Sequence, residues 1–165
     1  MFLLIMGVSG SGKSTLGAAL ADRLNWQFVE GDDLHPEANV LKMREGHALD
    51  DADRAPWLQA IAQHMCLLGR TGVSAVVTCS ALKAAYRRVL LEGTPEGRLV
   101  YLRIAKDVAM ERVMNRVGHF LPASLVASQF NDLEEPRAAE RALWLDSTAD
   151  VGGNVDRVMI TFALL

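Results

Sequence analysis

Eight residues near the start of the chain, Gly7-Val8-Ser9-Gly10-Ser11-Gly12-Lys13-Ser14, satisfy the pattern G-x-x-x-x-G-K-[ST] without a mismatch. They follow a short apolar run, Phe2–Met6, and lead into Lys13–Leu24, where apolar residues recur at helical spacing. A strand, a glycine-rich turn and a helix in that order make a phosphate-binding loop. Glycines let successive backbone N–H groups turn inward around an anion, and the helix start adds the positive end of its dipole. Lys13 is expected to reach the β- and γ-phosphates of a nucleotide, and the Ser14 hydroxyl to ligate Mg²⁺. Nucleotide contacts are therefore expected from Gly7, Val8, Ser9, Gly10, Ser11, Gly12, Lys13, Ser14 and Thr15. The dinucleotide fingerprint fails, because Thr15 stands where its third glycine belongs.

The rest of the chain fits such a start. Its 165 residues suit one domain, residues 1–165, and half of them are apolar, enough for a core without disulfides. Strands are expected at Phe2–Met6, Gln27–Glu30, Ser74–Cys79, Arg98–Arg103 and Ala142–Asp146. Helices are expected at Lys13–Leu24, Glu37–Arg44, Asp53–Gly69, Leu82–Leu91, Asp107–Val117 and Asn154–Leu165, the last with Asn154 as its N-cap. Gly118–Pro136, rich in turn signals, reads as irregular. Such alternation predicts an α/β fold: a mainly parallel five-stranded sheet with helices on both faces.

Lys and Arg number 17 against 20 Asp and Glu, a net charge of −3, so no global basic footprint for nucleic acid exists. Any anion must be held by a local site. The two cysteines, Cys66 and Cys79, lack metal-ligand spacing and read as reduced thiols. No run approaches the roughly 20 apolar residues of a membrane helix. Without a signal segment, a soluble cytoplasmic protein is expected.

The loop announces a nucleotide without naming a reaction. The guanine motif N-K-x-D is absent, and Asp150-Val151-Gly152-Gly153, a D-x-x-G, lies after the last strand, where no γ-phosphate switch belongs. The third strand ends Val76-Val77-Thr78-Cys79-Ser80, without the carboxylate of an ATPase motor. What remains is a small-molecule phosphotransferase, which needs a second pocket and a lid. The second strand leads into Gly31-Asp32-Asp33-Leu34-His35-Pro36, at the carboxyl end of a parallel strand, where α/β proteins bind ligands.

Together with Lys42-Met43-Arg44, Asp51-Ala52-Asp53-Arg54-Ala55-Pro56-Trp57-Leu58, Cys79-Ser80-Ala81-Leu82-Lys83, Tyr86-Arg87, His119-Phe120 and Ser128-Gln129-Phe130, this stretch resembles the gluconate kinase family of P-loop kinases over about nine-tenths of the chain. The resemblance implies a P-loop kinase fold with a substrate-binding insert at about 31–58 and a mobile lid at about 118–136. It further implies ATP-dependent phosphorylation of D-gluconate at the 6-hydroxyl, and it suggests a homodimer. A related kinase acting on shikimate or a nucleoside monophosphate would share the fold, and a non-catalytic nucleotide sensor would share the loop.

A sugar acid offers one carboxylate and several hydroxyls. Arg54, Lys83 and Arg87 are candidates for the carboxylate, since an Arg fork binds it bidentately. Arg54 and Lys83 also open helices, where a cation opposes the dipole and solvation alone explains it poorly. Asp32 and His35 are candidates for the hydroxyls. Asp32 reads as base, as Mg²⁺ ligand through water, or as substrate contact, with a simple turn-former as the bland alternative. Arg112 and Arg116 share a helix face at i, i+4, and Arg116 is expected to stabilise the transferring phosphoryl. Trp26, Trp57 and Trp144 read as core, with Trp57 also a candidate for the sugar pocket.

Overall fold

The computed structural model describes residues 1–94, 96–115 and 122–164. Five strands run in chain order as β1 (Phe2–Met6), β2 (Gln27–Glu30), β3 (Ala75–Cys79), β4 (Gly97–Arg103) and β5 (Leu143–Asp146). All pair in parallel, in the spatial order β2-β3-β1-β4-β5. Among the described residues, seven helices accompany them: α1 (Lys13–Leu24), α2 (Glu37–Arg44), α3 (Asp51–Arg70), α4 (Ala84–Leu91), α5 (Lys106–Met114), α6 (Ala123–Asp132) and α7 (Val151–Thr161). The fold is the expected parallel α/β sandwich.

β1 explains the layering. All five of its residues are buried, because a central parallel strand has helices on both faces. Leu4 and Met6 join Trp57, Ile61 and Met65 of α3 and Tyr86 and Leu90 of α4. Leu3 and Ile5 point the other way, to Leu16 and Leu20 of α1 and Val155 and Val158 of α7. Neighbours on opposite sides, β3 and β4, bring the chain's switch in winding direction to the carboxyl end of β1. Ligands of such sheets bind at that point.

Several boundaries differ from the sequence expectations for identifiable reasons. α3 starts at Asp51, two residues early, because Asp50 and Asp53 form a reciprocal capping box. Pro56 therefore sits in the second turn, where the carbonyl it cannot serve belongs to exposed Ala52. α7 is capped by Asp150, whose carboxylate accepts from the Gly153 N–H at 2.9 Å; Asn154 is not the cap but the fourth helical residue. The D-x-x-G is thus a helix cap. The Gly118–Pro136 stretch contains α6: Val126 is buried and Phe130 packs with Val8, Ile104 and Val113. Pro122 marks its start. Trp144 is exposed on the edge strand β5, edge-on to Tyr101 at 5.0 Å, and is not core. Among the described residues, no helix is long and apolar enough to cross a membrane.

Candidate active site

The loop between β1 and α1 is held from three sides. Gly10 has φ 82, and a Cβ there would lie 2.7 Å from the Ala109 carbonyl of α5, so only glycine fits. Arg112 of α5 donates to the Gly10 carbonyl at 3.3 Å and to Ser147 at 2.7 and 3.1 Å. Ser147 in turn donates to the Ser11 carbonyl at 2.6 Å. From α6, Gln129 accepts the Ser9 N–H at 2.7 Å and donates to the Ser9 hydroxyl at 3.0 Å. The start of α1 has no side-chain cap and no acidic residue in its first turn. Its free N–H groups and positive dipole end suit an anion. Lys13, almost wholly buried, donates to the Val8 carbonyl at 3.1 Å.

A cavity of about 800 Å³ opens beside this loop, with Lys13, Ser14 and Thr15 on one wall and Asp32, Asp33 and His35 on another. Met43 and Arg44 of α2 and Arg54 and Trp57 of α3 line it further. Asp32 is presented by a 3₁₀ turn, Gly31–Leu34, that follows β2 directly. Gly31 lets β2 approach β3 so closely: a Cβ there would stand 2.1 Å from the Thr78 carbonyl. The Trp57 indole N–H donates to the Gly31 carbonyl at 2.7 Å, and its ring stacks on His35 at 3.9 Å. Burial pushes the His35 imidazole down to about 4, the carboxylate of Asp32 opposing and the cation of Arg54 assisting. The ring is neutral at pH 7.

Arg54 is 5% exposed. Its Nε donates to the Leu49 carbonyl at 3.2 Å and its Nη2 meets Asp132 of α6 at 3.3 Å. The guanidinium also lies 5.7 Å over the Tyr86 ring. It is thus held rigidly while still facing the cavity.

The other expected carboxylate contacts are not on the cavity wall. Arg87 is 1% exposed, and all three of its nitrogens bind protein. It pairs with Glu140 at 2.5 and 2.9 Å and donates to the carbonyls of Ala81, Leu82 and Glu134 at 2.9 to 3.1 Å. Ala81 has φ 44, an unfavourable conformation for a residue with a Cβ, and Arg87 clamps that turn. Lys83 bonds Asp51 at 2.7 Å, and the same carboxylate accepts the Tyr86 hydroxyl. These two bonds hold Asp51 below the usual carboxylate range. Arg116 and the start of the expected lid lie outside the described residues.

Three residues on or beside the site were not expected. Glu30 lines the cavity and accepts the Thr78 hydroxyl, its sequence signal being a second carboxylate two positions before Asp32. Gln129 grips Ser9 across 120 positions, and Asn39 holds His35 from α2. Gln129 lies in the Ser128-Gln129-Phe130 segment but has no expected role there, and Asn39 carries no local signal.

The donor set suits ATP with Mg²⁺. Among the described residues there is no cluster of three His, Cys, Asp or Glu side chains that could hold a metal by itself. Mg²⁺ needs none: it takes one or two protein oxygens, keeps several waters, and draws the rest from phosphates. The Ser14 hydroxyl and the Asp32 carboxylate face one cavity beside the anion-binding helix start and would supply those oxygens.

Comparison with known proteins fits this geometry. A family profile described as an AAA domain matches residues 2–138. The gluconokinase of Gluconobacter oxydans is 47% identical over 135 residues, covering 82% of this chain and 76% of that protein. A probable gluconokinase of Xenopus tropicalis is 39% identical and covers 97% of this chain and 96% of its own. Among solved structures, an unliganded sugar kinase from a Janibacter species superposes with a TM-score of 0.93 at 38% identity, covering 99% of this chain and 94% of that one. A gluconokinase from Sinorhizobium meliloti superposes with a TM-score of 0.86 at 41% identity, covering 98% and 90%.

Proposed function

The chain belongs to the gluconokinase family, and from that premise we propose that it transfers the γ-phosphoryl group of ATP to the 6-hydroxyl of D-gluconate, giving 6-phospho-D-gluconate and ADP. The observation that carries this reading is one cavity joining the phosphate loop to a rigid, buried arginine. That arginine, Arg54, is the cation a sugar acid requires and a neutral sugar does not.

In this mechanism Gly7 to Thr15 cradle the phosphates, and Lys13 leaves the Val8 carbonyl to neutralise charge on the γ-phosphoryl. Ser14 and, through water, Asp32 would hold Mg²⁺, which would offset the charge of the phosphates. Arg54 fixes the substrate carboxylate and His35 a hydroxyl. Asp32 takes the proton of the attacking hydroxyl as the new O–P bond forms; the bond to the β-phosphate oxygen breaks, and ADP leaves with its electron pair. Arg116 adds positive charge at the transferring group. Residues 118–136 close over the site, since water admitted there would hydrolyse ATP. The enzyme so described is cytoplasmic, and family resemblance suggests a homodimer.

A coupled ADP-release assay with D-gluconate, other sugar acids, shikimate, nucleoside monophosphates and glucose tests the reading. Release that depends on gluconate, with shikimate and nucleotides inert, is expected. ADP release with shikimate or a nucleoside monophosphate instead would transfer the chain to a related kinase. ATP binding without acceptor-dependent release would make it a nucleotide sensor.

A further inference from the structure

Asn39, on α2, is 4% exposed, and its side-chain amide touches two groups at once. The amide nitrogen donates to the Asp53 carbonyl at 2.8 Å and stands 3.3 Å from His35 Nδ1. A backbone carbonyl only accepts, so the atom facing Asp53 is the NH₂ group and not the amide oxygen. That same NH₂ cannot accept a bond, so Nδ1 of His35 must be the acceptor. In a neutral ring the proton then resides on Nε2. Every partner in this chain of constraints is itself fixed. Asp53 belongs to the capping box of α3, and its carboxylate is bound by Lys42 at 2.5 Å. The His35 ring plane is set by stacking on Trp57. Nε2 has no protein partner among the described residues, yet it is not among the sealed, unpartnered buried atoms. It is therefore not sealed in protein, and His35 lines the cavity.

We propose that Asn39 is a positioning residue that fixes His35 in its Nε2–H tautomer, so that His35 meets the sugar acid as a hydrogen-bond donor and never as a base. The identity of the acceptor, a carboxylate or hydroxyl oxygen of gluconate, rests on the function proposed above. The charged groups facing the ring are Asp32 from the turn after β2 and Arg54 from α3, which act on it in opposite senses, and burial keeps it neutral. A neutral donor binds oxygen without adding to the charge Arg54 supplies. Proton removal is left to Asp32.

Long-range ¹H–¹⁵N spectra of the labelled enzyme read the tautomer directly. The chain has four histidines, and a His35→Gln variant assigns the signal. At pH 7 the wild-type ring is expected neutral with Nε2 protonated. A ring protonated on Nδ1, or cationic at pH 7, overturns the proposal, and this measurement needs no variant of Asn39 that folds. Asn39→Ala is expected to mix the two tautomers and to raise the gluconate KM roughly three- to tenfold with little change in the ATP KM. In a His35→Gln background, where the side-chain amide supplies the N–H unaided, the same substitution should change the gluconate KM by less than about twofold. An undiminished effect there would show that Asn39 does not act through His35, and would overturn the proposal. The spectra use protein alone, so absence of turnover with gluconate would reject the substrate while leaving the tautomer assignment standing.

Discussion

Arg87→Met separates a structural cation from a substrate-binding one. The substitution keeps most of the aliphatic bulk of a side chain that is 1% exposed, but removes two bonds to Glu140 and three to backbone carbonyls. Glu140 is left half-sheltered without its cation, and the turn at Ala81 loses its clamp. Breaking one side of a buried pair costs about 3–5 kcal/mol. In a chain of this size each kcal/mol shifts the melting point by about 2–4 °C, so Tm should fall by roughly 6–20 °C. Thermal unfolding by circular dichroism measures it, and gluconate kinetics are then taken well below the new Tm. There, KM for gluconate should stay within about threefold of the wild type, since Arg87 does not reach the cavity. A Tm shift below about 2 °C combined with a tenfold or larger loss in kcat/KM for gluconate would refute the structural assignment. The pair also has a pH signature. Arg87 holds the Glu140 carboxyl below its ordinary value of 4.5. Such a group adds stability that is present above that value and lost as the pH falls through its folded pKa. Below about pH 4.5 the wild type should therefore lose Tm more steeply than Glu140→Gln.

Lys13→Ala should lower turnover by at least about 10²–10³-fold without unfolding the protein, because the phosphates lose a fixed cation; near-normal turnover would reject the phosphate-loop mechanism. With Asp32→Asn, kcat should fall far more than the gluconate KM rises, whereas a raised KM alone would make Asp32 a substrate contact. Arg54→Ala should cost about one to two decades in kcat/KM for gluconate, as expected for a charge-assisted bond of roughly 1.5–3 kcal/mol, with ATP affinity little changed. Measured side by side, gluconate and glucose should be less well discriminated by that variant; a parallel fall for both would place the carboxylate site elsewhere.

The sequence was most legible where chemistry is local. β1, α1, β2 and α2 fall on their expected residues because a phosphate loop, a Gly-Asp turn and a His-Pro pair carry their own punctuation. α6 was hidden because Pro122 and Asn131-Asp132 read as turns, although they mark the ends of a helix and not its absence. α7 was read late because Gly152 and Gly153 are poor helix formers, and only the Asp150 cap carries the first turn. Arg54 and Arg87 look alike in a sequence, each a cation near an apolar helix. What separates them is Glu140, which lies 53 positions from Arg87 and closes around it. Asn39 gave no signal at all, since its meaning lies in Asp53 and His35, residues joined to it only by the tertiary fold.

The place of β1 at the centre of the sheet also bears on how the chain is made. Phe2 is paired with Ala75 on one side and Gly97 on the other, so β1 is synthesised before either of the strands that flank it. At about 5–20 residues per second, the ribosome takes roughly 4–15 s to deliver the first partner strand. For that interval Phe-Leu-Leu-Ile-Met is an apolar segment without a partner, the kind of sequence that joins neighbouring chains edge to edge. Slowing translation between α1 and β3 lengthens that interval and should lower the soluble yield.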